Sequence, residues 1–436
     1  MPTLTRQAIG QQILRRLHNR HFLHAGGLLL TANLITSALG VARTLGMTWL
    51  MPKEEVGMLG VLLAWLPFLQ LLSLPGMDSA SYHYIAQGHR WAYGVNLAYR
   101  LRWSLLSVAG CGVGAWYWAS QGSTGVAALF VAAGLLYPAT TALSAASGTL
   151  AARENFTALF WYRIVEALAD LSGFLPLLLG VWWLSRAFTF YLSSQLALAV
   201  LLITVSVWLL RRFRAGGFLA PAPTDRAGLV RYGRHQTGLV AIGVVQSRAD
   251  AMMVSAFFSL TVMADYSLAL LLQSQMKSFW TIYLSVRYPP LVRMPHAQRR
   301  WRMLWEGVLV TLGFAGMGAL LAGGTALVVP WLLPPTYAPM LPYLYWLLAI
   351  FALSVPGYWA EVYFRTEQDN SRQYLMRGAA AVLGVVIPLA LLPSLGLQAI
   401  FWGRAAAALL FSLLGIGLAL VYRPHAALPG TELETH

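Results

Sequence analysis

Apolar runs of about 20 to 28 residues recur along this chain, each long enough to cross a hydrocarbon core at about 1.5 Å rise per residue. Strands of a membrane barrel would be about half that length and would alternate in polarity, so the runs read as helices. With 58% hydrophobic residues, 10% charged residues and a mean hydropathy of +0.62, a chain of 436 residues cannot cover a soluble globule with a polar skin. The expected fold class is an all-α polytopic membrane protein. Twelve spans are expected, over residues 25–50, 57–76, 95–119, 126–149, 157–181, 187–210, 236–258, 263–286, 304–333, 340–362, 375–393 and 398–422.

The net charge of +15 describes topology rather than a nucleic-acid partner. One side of the expected membrane collects 23 of the 30 Lys and Arg residues, from Arg6 and Arg15 through the runs at 211–234 and 287–302 to Arg423. The other side holds Lys53 and Arg186. By the positive-inside rule both termini are expected in the cytoplasm. Residues 1–24 are polar and basic, without the apolar core of a cleavable signal. Cys111 is the only cysteine, which excludes a disulfide framework and a thiolate metal site, and the nine histidines are scattered. No Walker loop, dinucleotide fingerprint, HExxH or nucleophile elbow is present, so the reading is a transporter rather than an ATPase or other enzyme, with no cofactor and no metal.

Between the sixth and seventh expected spans lies a stretch rich in Gly, Pro and Arg and free of apolar runs. It divides the chain into an N-terminal lobe at 1–210, a basic cytoplasmic linker at 211–235 and a C-terminal lobe at 236–436. Each half opens similarly, since Arg43 precedes Gly57 by 14 residues and Arg248 precedes Ala264 by 16. Two halves with even numbers of spans insert in the same orientation, as parallel repeats related by an axis along the membrane normal, and transporter sites lie at the interface of such repeats.

Charges within the spans are the functional candidates, because one in hydrocarbon costs at least about 2.5 to 3.5 kcal/mol unless it is paired or faces water. Span 1 carries Asn33, Thr36, Ser37, Gly40, Arg43 and Thr44 along one helical stripe, which suits either helix packing or a cavity wall. In span 5, Arg163, Glu166 and Asp170 share a face at i, i+3, i+7. There Arg163 is placed to neutralise Glu166, leaving Asp170 as an ion or proton site, or the three form an internal structural bridge. Asp78 follows the Pro75-Gly76 break and lies on a cavity floor or at the cytoplasmic interface. Arg248 and Asp250 lie on roughly opposite faces of span 7; Gln273 and Lys277 pair at i, i+4 in span 8, and Arg404 is a further cavity candidate in span 12. Trp280 and Tyr283 read as interfacial anchors, and Glu361 as an interfacial acid before a charged loop.

Three stretches carry a family resemblance: LGVARTLGMTWLMPKEEVGMLGVLLA in the first half, VVQSRADAMMVSAFFSLTVMADYSLALLLQ in the second, and TYAPMLPYLYWLLAIFALS before span 10. With the 6+6 layout, the chain resembles a Wzx-type flippase of O-antigen and exopolysaccharide units, within the multidrug, oligosaccharidyl-lipid and polysaccharide (MOP) exporter superfamily. The resemblance implies two six-helix bundles around a central cavity in the bacterial inner membrane, with alternating access of an undecaprenyl-pyrophosphate-linked oligosaccharide. It further implies membrane lipids, a polysaccharide polymerase and chain-length machinery as partners. Arginine grips phosphate oxygens with forked donors, so Arg43 and Arg248 are the first pyrophosphate candidates, followed by Lys277, Asn33, Gln273 and Arg404. Asp250, Glu166, Asp170 and Asp78 are the candidates for coupling to H+ or Na+. A cation-coupled multidrug antiporter is the main alternative. A membrane polysaccharide polymerase or ligase is the enzyme alternative, weakened by short outer loops.

Overall fold

The computed structural model of the protein describes residues 20–89, 91–153, 155–214, 226–292, 294, 296–367 and 369–421. They are helical throughout, with no strand among the described residues. In chain order the helices are α1 (Arg20–Leu50), α2 (Lys53–Leu71), α3 (Gly76–Ala86), α4 (Ala92–Ser120), α5 (Thr124–Tyr137), α6 (Ala145–Ala152), α7 (Phe156–Leu171), α8 (Phe174–Leu178), α9 (Arg186–Arg214), α10 (Arg226–Phe257), α11 (Leu260–Val292), α12 (His296–Leu332), α13 (Met340–Thr366), α14 (Asn370–Leu395) and α15 (Gln398–Val421). Nine candidate spans among the described residues are long and apolar enough to cross a membrane. The three other expected spans are helical as well, formed by α4, by α7 with α8, and by α11.

The chain divides into two compact units, Met1–Ala241 and Ile242–His436. The division falls inside α10, so residues 236–241, expected in the C-terminal lobe, group with the first unit. The expected linker at 211–235 is partly helical, because α9 runs on to Arg214 and α10 begins at Arg226; residues 215–225 lie outside the described residues, as do Arg6, Arg15 and Arg423 of the charge argument.

In the first unit α1 lies along α7, α4 along α5, and α3 against α6. Met77, Tyr93, Tyr162, Leu202, Leu209 and Leu229 belong to its core, with the Tyr93 hydroxyl donating to Ser206 Oγ at 3.3 Å. The short α3 was not expected from the sequence. It starts at the Pro75-Gly76 break because Gly76 lies directly on the backbone of α10: its N–H donates to Thr237 Oγ1 at 3.1 Å, and Thr237 in turn donates to the Gly233 carbonyl at 2.9 Å. No side chain fits there. Past α5 the helix widens into a π-turn over Pro138–Ala142, where proline withholds a helical N–H.

In the second unit α13 is central, packing on α11, α12 and α15, while α14 lies along α15. Pro356 interrupts the hydrogen-bond ladder of α13, and the Ser412 hydroxyl of α15 joins it there. Ser412 accepts from the Gly357 N–H at 3.1 Å and donates to the Leu353 carbonyl at 2.6 Å. Gly357 and Gly415 leave no room for a side chain at this crossing, since a Cβ on either would run into Phe411 or Ala360. Trp280 and Tyr283, expected as interfacial anchors, have aromatic partners within the unit. They pack into a ring cluster with Phe314, Tyr358 and Trp359 at centroid separations of 5.7 to 6.1 Å. Glu361, read as interfacial, is 4% exposed and accepts from Arg365 and Arg377, with the Arg377 bonds at 3.1 and 2.7 Å.

Candidate functional site

Each unit holds its own group of charges within the spans. In the first unit, Arg43 of α1 donates to Asp170 of α7 at 3.0 Å, with the two side chains 24% and 32% exposed. The guanidinium also lies over the Phe190 ring, 5.4 Å from its centroid. Arg43 and Asp170, assigned on sequence to different roles, are therefore one ion pair. Arg163 reaches across to Asn33 Oδ1 at 2.7 Å and makes no ion pair with Glu166 among the described residues. The one-helix neutralisation expected from i, i+3 spacing gives way to a contact between α7 and α1. Glu166, partly buried between the two arginine-bearing positions, has no hydrogen-bond partner among the described residues.

The Asp78 side chain is 35% exposed and held by two partners on α4. It accepts from Asn96 Nδ2 at 2.9 Å and from Arg100 at 2.5 Å, and Arg100 also donates to Ser144 at 3.2 Å. Arg100, one of the 23 basic residues assigned to the cytoplasmic side, is 3% exposed. One turn of α4 carries it into the interior, where a carboxylate makes its burial tolerable. Arg100 was legible only as a charge near a span end, without a signal that it turns inward.

In the second unit, Asp250 of α10 is 3% exposed and accepts from both Tyr266 of α11 and Arg404 of α15. Arg404 also donates to the Tyr266 hydroxyl at 3.2 Å, closing a three-membered cluster. Tyr266 was missed on sequence; it lies on the α11 face that carries Gln273 and Lys277, seven and eleven residues further on. Gln273 is 3% exposed on that face. Asp265, beside Tyr266, is 4% exposed and was likewise not singled out.

Two cations here have no counter-ion among the described residues. Arg248 points away from Asp250, as their two-residue spacing requires, and is exposed. Lys277 is half-buried, within electrostatic range of Arg248, Arg404 and Asp250. Lys277, Arg248 and Arg404 thus outnumber Asp250, which is already committed to Arg404 and Tyr266. The first-unit group is balanced by contrast, with Arg43 and Arg163 against Glu166 and Asp170. The arrangement in the second unit can hold a doubly charged anion; that in the first can take up one cation at Glu166.

No protein-family profile matches the chain, and no curated protein matches it in sequence. Solved structures do match its fold. The inward closed conformation of the lipid II flippase MurJ superposes with a TM-score of 0.66 at 8% identity, covering 91% of this chain and 88% of that one. An inward-facing multidrug resistance MATE family transporter of the MOP superfamily gives 0.58 at 10% identity, covering 88% and 94%. A MOP superfamily transporter from Pyrococcus furiosus, described as having a binding pocket of reversed polarity, gives 0.51 at 12% identity over 92% and 94%. The chain shares the fold of these two transporters and of the lipid II flippase.

Proposed function

We propose that this chain is a MOP-superfamily flippase that moves a lipid-linked, pyrophosphate-bearing oligosaccharide across the bacterial inner membrane by alternating access, with both termini cytoplasmic. The observation that carries the reading is the pair of unpaired cations, Arg248 and Lys277, beside the Asp250–Tyr266–Arg404 cluster. An uncompensated charge within a span is costly and persists where a ligand or water neutralises it. A pyrophosphate does so with charge to spare, taking forked bonds from arginine and a point charge from lysine. Arg404, held by Asp250, orients the carboxylate and adds positive field. Arg43 is bound to Asp170 and serves the first unit's own packing, so it ranks below Arg248 as a phosphate ligand. Glu166 is the group to which H+ or Na+ coupling is assigned, since it has no partner to displace. The polymerase and chain-length machinery would act on the delivered unit.

A second reading, a cation-coupled multidrug antiporter, draws on that same unpartnered Glu166, an acid able to meet an organic cation. The two readings separate in a deletion strain complemented with Arg248→Ala, Lys277→Ala or Glu166→Gln. Flipping predicts complete lipid-pyrophosphate-linked repeat units accumulating on the cytoplasmic face in the deletion and in both cation variants, with expression unchanged. Normal lipid intermediates together with new drug sensitivity in the deletion and in Glu166→Gln would replace this reading by the antiporter.

A further inference from the structure

A second feature of the Ile242–His436 unit lies away from these charges. An apolar groove of about 350 Å3 runs between α12, α13 and α15, walled by Met303, Gly307, Leu312, Pro356, Trp359 and Ile416. Gly307 opens it, since a Cβ there would meet Trp359 Cδ1 at 2.8 Å. Its polar wall groups Thr311 and Trp359 are satisfied internally: the Thr311 hydroxyl donates to the Gly307 carbonyl and the Trp359 indole to the Met303 carbonyl, both at 2.7 Å. An occupant is therefore asked for no hydrogen bond, only for apolar contact.

The groove's lower end is charged. One turn of α12 places Arg302 and Glu306 beside Met303 and Gly307, and Arg287 of α11 joins Glu306. Here two arginines share one carboxylate, and Arg302 is 49% exposed. Trp301 and Trp305, 69% and 67% exposed, flank this end and mark it as headgroup level, where tryptophan concentrates. From Met303 to Leu312 the groove rises along α12 by roughly 14 Å, about half of a hydrocarbon core and so one leaflet. That depth suits a single acyl chain and is too short for a long polyprenyl chain.

We infer that this groove is a binding site for an anionic phospholipid of one leaflet, with an acyl chain against Gly307 and Trp359 and the phosphate on Arg302. A basic residue near the surface favours an anionic headgroup by about fivefold. Native mass spectrometry of the full chain, released from nanodiscs holding equal phosphatidylglycerol and phosphatidylcholine of identical chains, tests this. The expected result is retained phosphatidylglycerol in preference to phosphatidylcholine, a preference lost in Arg302→Gln, and reduced retention of both in Ile416→Trp, which fills the groove. Arg302→Gln leaves Glu306 with Arg287, so the fold keeps its interior pair. Equal retention of the two lipids by the native chain, or an Arg302→Gln variant that keeps the preference, would each overturn the assignment.

Discussion

Asp250 depends on partners brought by two other helices. Its Oδ2 receives Tyr266 and Arg404, while Oδ1 is buried without a partner among the described residues. Removing one member of such a pair strands the other charge, at a cost of about 3 to 5 kcal/mol. Asp250→Asn and Arg404→Gln are each expected to lower the thermal unfolding midpoint sharply in detergent, and the double variant to recover part of the loss. Arg248→Ala is expected to change stability by no more than about 0.5 kcal/mol, since the side chain is exposed and unpaired, while transport fails. A large stability loss in Arg248→Ala would instead make it structural. The chemistry of these residues was legible, because a charge inside an apolar run stands out. Their partners were not. Helical spacing relates residues within one helix, and it offered Glu166 to Arg163; the structure sends Arg163 to Asn33, 130 residues away in the chain.

Where helices cross, small residues set the separation. At the α13–α15 crossing, Gly357 accommodates Phe411 and the Ser412 hydroxyl completes a ladder that Pro356 interrupts. Gly357→Val is expected to cost about 1 to 3 kcal/mol through overpacking. Ser412→Ala should cost about 1 to 3 kcal/mol, because it leaves a buried N–H and carbonyl short of a partner. Both are read as shifts in unfolding midpoint, and an unchanged midpoint in either would mean that the crossing relaxes freely. Apolar length revealed the spanning helices and their order. It was silent on α3, whose 11 residues lie in a stretch that the Pro-Gly pair marks only as a break. Nor did it show that Trp280 finds ring neighbours on α12 and α13.

Across the whole molecule, the arginine bias predicts which ends of the helices face the cytoplasm. Cys111 is 1% exposed and the sequence has no other cysteine, so Cys111→Ala gives a background for single-cysteine labelling. In intact cells Lys53→Cys is expected to react with a membrane-impermeant maleimide, and Trp301→Cys to react only after permeabilisation. The opposite pattern would invert the topology and the proposed direction of transport. Chain separation between charge partners also matters before folding is complete. Arg43 waits 127 residues for Asp170, and Asp250 waits 154 for Arg404. At roughly 5 to 20 residues per second of synthesis, each helix sits in or beside the bilayer for about 6 to 31 seconds with its charge unanswered. The ribosome thus delivers two metastable segments in succession, and the nascent chain needs the insertion machinery to shelter each until a later helix arrives.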